Sequence, residues 1–350
     1  MRLLTKSSIL GKYKQKARPL GSDDKGEMSM FRIRKSLAIS AVLVALSHTA
    51  WAQAPLRKLN IGTLKFAAST DLAVAHKQGM FGKNGLDVTL VEFRNGQEAI
   101  AAQKSGAVDI LLAIPGIAMQ ASERGFDLMA VAQNETSHAS PPDSGSTVVL
   151  KDSPYRSLAD LSGKRISTSG LHGQQTIAAQ YVLQKAGVDI SKVDMVETPT
   201  PSQADLLKSK QVDAIVTVDP YTTMLQTSGI GRVLSWHFVE SVPEQPIGVW
   251  YATSVFAKKN PQAVEAFART MREAIQYMNE DEDRARRNVA EYTGLDPALL
   301  KTMPLPKWDY RVKPDRWQAV IDMMRKMGEL QQPHTADQFM SDQIKAYIAN

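Results

Sequence analysis

From residue 58 onward, apolar and polar positions follow two rhythms in turn. Short apolar or alternating runs at 58–62, 86–93 and 108–113 read as strands, and 71–78 and 97–105 between them carry apolar residues at helical spacing. That alternation predicts a doubly wound, mostly parallel sheet flanked by helices, an α/β fold. A polar loop over 137–146, holding Pro141 and Pro142, interrupts the pattern. The rhythm then resumes with strands at 147–151 and 164–169, a helix at 173–186, and strands at 192–197 and 212–218, which predicts a second lobe of the same kind.

A repetition joins the two halves. Gln97-Glu98-Ala99 leads through Lys104-Ser105 to Val108-Asp109-Ile110, then Pro115 and Met119; Gln203-Ala204-Asp205 leads through Lys208-Ser209 to Val212-Asp213-Ala214, then Pro220 and Met224. Each reads as helix, turn, buried strand, and a proline opening the next helix. A chance match between two generic αβα units gives the same two related lobes. Residues 246–256 read as a return strand, and Asn260-Pro261 opens a helix with the apolar face Val264, Phe267, Ala268, Met271, Ile275 and Met278. Beyond it the chain reads as helical, with a loop at 304–314. If the return strand goes back to the first lobe, lobe I comprises 53–150 and 246–350 and lobe II comprises 151–245, joined by a two-strand hinge over a cleft.

The first 52 residues change the compartment. Residues 30–52 hold a basic start (Arg32, Arg34, Lys35), an apolar stretch over 37–46 running on to Ala50, and small residues Ala50 and Ala52, the grammar of an export signal cleaved before Gln53. The stretch falls short of the roughly 20 residues that span a bilayer. Residues 1–29 show no apolar periodicity, and Lys25-Gly26-Glu27 have purine-rich codons suited to a ribosome-binding site, so 1–29 are expected to be either a mis-assigned start ahead of Met30 or a disordered extension. The whole chain carries +6, but the first 52 residues hold ten basic and three acidic side chains, which leaves 32 and 33 in the remaining 298 residues. A near-neutral mature chain gives no reason to expect nucleic acid as a partner. With no cysteine there is no disulfide, thiol nucleophile or lipid-anchored cysteine. A freely diffusing periplasmic monomer of two lobes is expected.

Enzyme signatures are missing: there is no His-Glu-x-x-His, Gly-x-Ser-x-Gly or Gly-x-x-x-x-Gly-Lys-Ser/Thr run. Gly229-Ile230-Gly231 reads as a turn. His76, His138, His172, His237 and His334 have no metal-ligand spacing, and no metal or cofactor is expected. The chemistry is left to loops that leave strand C-termini, where doubly wound sheets bind ligands. The run 167–176, with Ser169, His172, Gly173 and Gln174, offers backbone N–H groups, hydroxyl and amide at a helix start and suits a small anion, though an ordinary capped helix start has the same form. Asp219-Pro220-Tyr221 places a carboxylate and a phenol after a strand; Asp219 either accepts from a ligand amine or caps its own helix. In lobe I, Ile114, Pro115 and Gly116 hold the matching position without a polar side chain. Helix starts at Asn95-Gly96-Gln97 and the loop 63–71 add further edges. Phe66, Trp236, Phe238, Trp250 and Tyr251 are candidates to wall a pocket, although each also suits a core.

Gly79-Met80-Phe81 with Gly85-Leu86-Asp87-Val88, Lys151-Asp152-Ser153-Pro154 with 158–165, and Val212-Asp213-Ala214 with Asp219-Pro220-Tyr221 together resemble the solute-binding proteins of nitrate, taurine and alkanesulfonate-type ABC transporters. The similarity runs from about residue 59 to 279. It implies a two-lobed periplasmic binding protein of type II that closes on a small ligand and presents it to a permease with a cytoplasmic ATPase. It also implies ligand contacts from Phe66, Thr70 and Asp71, from Ile114 to Gly116, from Ser169, His172, Gly173 and Gln174, and from Asp219 with Tyr221; Trp250 joins them as an aromatic wall. Sulfonate binders of this kind carry polar residues where this chain has 113–116, which favours a ligand with an apolar or aromatic body. The leading expectation is a small organic anion: an alkanesulfonate, a taurine-like molecule, or an aromatic sulfonate or carboxylate. The alternative is a neutral heteroaromatic such as a thiamine-precursor pyrimidine, with Asp219 on a ring amine. A secreted enzyme using His172 or Asp219 as base, or a pure interaction module, stands behind both.

Overall fold

The computed structural model describes residues 56–93 and 96–349, so the readings made over 1–52 lie outside the described residues. The first strands are β1 (Arg57–Leu64), β2 (Leu86–Phe93), β3 (Ile110–Ala113) and β4 (Leu128–Thr136). Between them run α1 (Thr70–Lys77), α2 (Met80–Lys83), α3 (Gly96–Ser105) and α4 (Pro115–Glu123). The edge strand β2 alternates buried and exposed positions, whereas β3 and β4 are buried almost throughout, as strands covered on both faces must be.

After β4 the chain crosses to a second sheet. Its members are β5 (Gly145–Leu150), β6 (Arg165–Thr168), β7 (Asp194–Glu197), β8 (Ala214–Val218) and β9 (Gly231–Ser235), in the order β7-β6-β8-β5-β9. The helices here are α5 (Gln174–Lys185), α6 (Thr200–Lys208), α7 (Tyr221–Thr227) and α8 (His237–Ser241). The chain then returns through β10 (Pro246–Thr253), α9 (Ser254–Lys259), α10 (Pro261–Asn279), α11 (Glu282–Thr293), α12 (Pro297–Leu300), β11 (Lys307–Trp308), α13 (Pro314–Lys326) and α14 (Asp342–Lys345). The first sheet is ordered β11-β4-β10-β3-β1-β2.

Both sheets are mixed, and the crossings explain it. β1 pairs parallel with β2 and β3, and β6 with β7 and β8, but β10 is antiparallel to β3 and β4, and β5 to β8 and β9. A strand that arrives straight from the other sheet enters at the cleft end and runs away from it, against strands whose C-termini point into the cleft. The pairing of β5 also places 145–150 in the second sheet, although those residues were expected with lobe I.

Three smaller departures have local causes. The return strand stops at Thr253, whose side chain accepts from Phe256 N–H at 3.1 Å and starts α9. β11 emerges inside the expected loop because Lys307 and Trp308 pair with Thr136 and Glu135. Pro220 stands at the N-cap of α7 rather than within its first turn, while Pro115 does open α4.

The expected face of α10 is buried against the first sheet, where Phe267 meets Trp250 edge-on with ring centroids 5.5 Å apart. Val264, Phe267, Met271, Ile275 and Met278 are all buried, and each contributes roughly 1.5–3 kcal/mol by leaving water. A further core spans both halves, joining Ala118 and Met119 to Ile177, Ala178, Phe238 and Trp317.

The two crossings, 137–144 and 236–245, are bonded to each other. Ser137 N–H donates to Gln245 O at 2.8 Å, Gln245 N–H to Ser137 Oγ at 3.0 Å, and Glu244 N–H to His138 O at 3.2 Å. Gly145, at the end of the first crossing, lies so close to the second that a Cβ there would sit 2.5 Å from Phe238 Cδ2 and 2.7 Å from His237 Nε2. Gly145→Ala should therefore lower stability by about 1–3 kcal/mol in urea unfolding, as overpacking does; an unchanged midpoint would mean that the crossings can part at little cost.

Candidate functional site

Four carboxylic acids meet where the crossings, β4 and the loops after β1 and β8 come together. Asp71 opens α1 after a short turn whose Ser69 Oγ donates to Leu64 O at 2.8 Å. The turn is held in place by Asn134 Nδ2 and Trp308 Nε1, which donate to Ala68 O at 3.1 and 2.9 Å; Trp250 Nε1 in turn donates to Asn134 Oδ1 at 3.2 Å. Asp71 Oδ1 accepts from Leu72 N–H at 2.8 Å. Its Oδ2 and the neighbouring Thr70 Oγ1 are buried without a hydrogen-bond partner.

Asp143 and Asp219 repeat this division. Asp143 Oδ1 accepts from Ser144 N–H at 2.8 Å and His138 N–H at 3.2 Å, and Asp219 Oδ1 from Thr223 N–H at 2.9 Å and Thr223 Oγ1 at 2.7 Å. In both, Oδ2 is buried and unpartnered. Asp219 N–H donates to Ser144 O at 2.8 Å, tying the end of β8 to the first crossing. Asp219 thus holds its helix start with one oxygen, one of the two readings of its sequence context, while its other oxygen has no partner.

Glu135 completes the set. The register between β4 and β10 shifts here: Gly248 faces Glu135 while Val249 faces Gln133, leaving Asn134 unpaired. Such a bulge bends a strand and re-aims its side chains. Gly248 allows the close approach, because a Cβ there would lie 3.0 Å from that of Glu135.

The electrostatics follow from burial without compensation. Among the described residues no Lys or Arg pairs with any of the four. Burial pushes Glu135 up to about 8, with the negative charges of Asp143 and Asp71 adding to the effect. Burial lifts Asp219 to about 6; the Thr223 hydrogen bonds oppose that rise and Asp143 reinforces it. Asp71 and Asp143 are raised too, burial outweighing the N–H groups that stabilise their charged forms.

Beside the cluster lies a groove of about 450 Å3 lined by Leu64, Lys65, Phe66, Glu92 and Phe93. Tyr292 links the two, since burial and the charges of both Glu92 and Asp71 raise its phenol, against a bond to Thr63. Phe66 is 58% exposed and presents an aromatic face there. Of the expected residues, Phe66 lines this groove, Thr70 and Asp71 open the helix that follows it, and Asp219 lies with Asp143 at the first crossing.

The other expected residues serve other ends. Gln174 is buried and spent: its Oε1 accepts from Gly116 N–H at 2.9 Å, and its Nε2 donates to Gln245 Oε1 and Pro246 O at 3.0 and 3.1 Å. His172 Nδ1 lies 3.0 Å from Glu329 Oε1, and its carbonyl accepts from Gln120 Nε2 at 3.0 Å. The loop expected to cradle an anion is docked on the other lobe, with Gly173 capping α5 and Ser169 left exposed. Pro115 and Gly116 are buried in that same contact, and Ile114 is the half-buried N-cap of α4. Tyr221 lines a separate pocket of about 250 Å3 with Gln203 and Met224. Trp250 is fully buried in the lobe I core and acts through Asn134. Sequence reading missed Glu135 and Asp143. An acid within the buried polar end of a strand was the available signal for the first, and a lone acid in the inter-lobe loop for the second.

A family model described as NMT1/THI5 like matches residues 67–285. A putative binding protein of Brucella abortus (strain 2308) is 24% identical over 273 residues, covering 77% of this chain and 81% of its own. A formylaminopyrimidine-binding protein of Halalkalibacterium halodurans is 24% identical over 293 residues, covering 79% and 86%. Among solved structures, the alkanesulfonate-binding protein SsuA of Xanthomonas axonopodis pv. citri bound to MOPS superimposes with a TM-score of 0.67 at 22% identity, over 82% of this chain and 99% of that one. At that identity the likeness establishes the fold, that of the periplasmic binding proteins.

The raised Glu135 makes stability depend on pH. The native state favours its protonated form, so its contribution is fully present below 4.5 and is lost as pH rises through about 8. Glu135→Gln stays neutral throughout. In urea unfolding of the ligand-free chain the variant should match the parent near about pH 5 and exceed it near about pH 8, the gap growing by at most about 1.4 kcal/mol per pH unit. Parallel curves would place Glu135 in water.

Proposed function

The chain belongs to the NMT1/THI5-like family, and from that membership we propose that it is the extracytoplasmic solute-binding protein of an ABC importer, taking up a small nitrogen-bearing heteroaromatic of the aminopyrimidine kind. The observation that carries this reading is the set of three buried, unpartnered Oδ2 atoms on Asp71, Asp143 and Asp219 beside Glu135. Acceptors buried without donors are costly, and a ligand rich in N–H groups would relieve that cost. The exposed ring of Phe66 offers a stacking face beside them. A relative of similar length is named for binding formylaminopyrimidine, which agrees with this chemistry.

The choice departs from the leading expectation of a sulfonate or carboxylate. An anion needs donors, and the loop meant to supply them spends Gln174 and His172 on contacts between lobes. Four acids without a basic partner are an unfavourable lining for a negative ligand. Among the described residues no group of three or more His, Asp or Glu is arranged to hold a metal ion.

Delivery would be to a membrane permease driven by a cytoplasmic ATPase, with the chain acting as a periplasmic monomer. The export-signal pattern at 30–52 supports that location, and no helix among the described residues is long and apolar enough to cross a membrane.

A thermal-shift screen of the purified chain tests the ligand class. Aminopyrimidines should stabilise it, by about 2.7 kcal/mol at a hundredfold excess over Kd, whereas taurine, alkanesulfonates, nitrate and aromatic carboxylates should not. Asp219→Asn retains an oxygen to cap Thr223 but loses the charge, and should weaken pyrimidine binding by about 10- to 100-fold. A response confined to sulfonates would contradict the proposal, and turnover of a bound compound would make the protein an enzyme.

A further inference from the structure

We infer that Glu135 selects the charge of the captured molecule: it gives up its own proton in exchange for a cationic nitrogen, so that the site prefers a planar cation to a neutral molecule of the same shape. This rests on the reading of the acid cluster as a receptor for N–H donors.

Glu135 differs from its three neighbours. Each aspartate receives at least one backbone N–H, which helps it to carry charge, but among the described residues no donor reaches the Glu135 carboxyl. Its backbone is fixed from both sides, by Gly248 of β10 and Trp308 of β11. Gln133 Nε2 pins its carbonyl at 3.0 Å and is itself steadied by Trp317, whose Nε1 donates to Gln133 Oε1 at 3.2 Å. The backbone that carries the carboxyl is therefore fixed, and the residue is buried.

The charges around it are mostly of one sign. Asp71 of α1 and Asp143 of the first crossing act on it directly, Asp219 in the turn before α7 acts on Asp143, and Tyr292 of α11 lies beyond Asp71. His138 partly offsets Asp143, and its Nε2 is engaged with Leu305 O at 3.1 Å. On β11, Lys307 is exposed, and the following Asp309 is paired with Arg311 at 2.9 Å. On β10, Tyr251 is buried and neutral at ordinary pH. Lys65 lines the neighbouring groove but is exposed, and among the described residues no Lys or Arg forms an ion pair with Glu135, so burial beside Asp71 and Asp143 holds it as the neutral acid near neutral pH.

An incoming amidinium or protonated ring changes that balance. The Glu135 O–H bond breaks, the proton passes to solvent, and an N–H···O bond of the charge-assisted kind forms in its place. A neutral ligand leaves the proton where it is and gains the weaker, uncharged bond. Affinity for the cation should therefore rise with pH up to about 8, while affinity for the neutral molecule stays flat.

Benzamidinium and benzamide serve as the test pair, being planar, aromatic and close in shape. Isothermal titration of the purified full chain at about pH 7, in two buffers of different ionisation enthalpy, counts the protons exchanged. Benzamidinium should bind about tenfold more tightly and release about one proton per molecule. Glu135→Gln should lose both the release and the preference, with its unfolding midpoint near about pH 5 confirming an intact fold. Equal affinities, no response to either probe, or proton release that survives in Glu135→Gln would overturn the inference. A neutral pyrimidine found in the screen alongside equal probe affinities would sink this inference alone. Proton release on benzamidinium without any pyrimidine hit would instead sink the aminopyrimidine assignment and leave Glu135 as the residue that selects for charge.

Discussion

The chain passes between its two sheets twice, and most of the structure answers to that constraint. The crossings at 137–144 and 236–245 must satisfy their own backbone groups, and they do so on each other through Ser137 and Gln245. Because they enter the sheets at the cleft ends, β5 and β10 run against their neighbours, and the C-termini of β1, β3, β6 and β8 are left pointing at the seam. The acid cluster is assembled from what this geometry brings together: the end of β4, the first crossing, and the loops after β1 and β8.

The division of labour within the carboxylates explains how such a cluster survives in a folded protein. One oxygen of each aspartate is used locally, holding a helix start or a turn, and that use keeps the side chain in place. The second oxygen is left for something else. Burying it without a partner costs free energy, and binding proteins retain such costs where a ligand repays them. The contact between lobes made by Gln174, Gly116 and His172 reaches the second crossing, where Gln174 Nε2 donates to Gln245 Oε1.

Much of the fold was legible because hydrophobic periodicity reports burial directly. The strand and helix alternation, the repeated αβα unit and the full face of α10 could be read from residue spacing. Strand direction could not, since a strand has the same period whichever way it runs, and so the reversed β5 and β10 were unforeseen. The two-residue β11 is too short to have a period. The site was legible in part for a similar reason. Asp219 follows a strand end and Asp71 opens the helix after one, where ligands are expected, but Glu135 lies in the polar end of β4 and its placement depends on a register shift that no local pattern announces. Trp250 and Gln174 have the chemistry of ligand contacts, yet tertiary packing claims them first.

A crystal structure of the chain with its tightest-binding small molecule tests the central claim most directly. The account predicts ligand nitrogens about 2.7–2.9 Å from the Oδ2 atoms of Asp71, Asp143 or Asp219, with the ring against Phe66. A ligand held by a sulfonate or carboxylate group at the start of α5, with those oxygens still unpartnered, would contradict it.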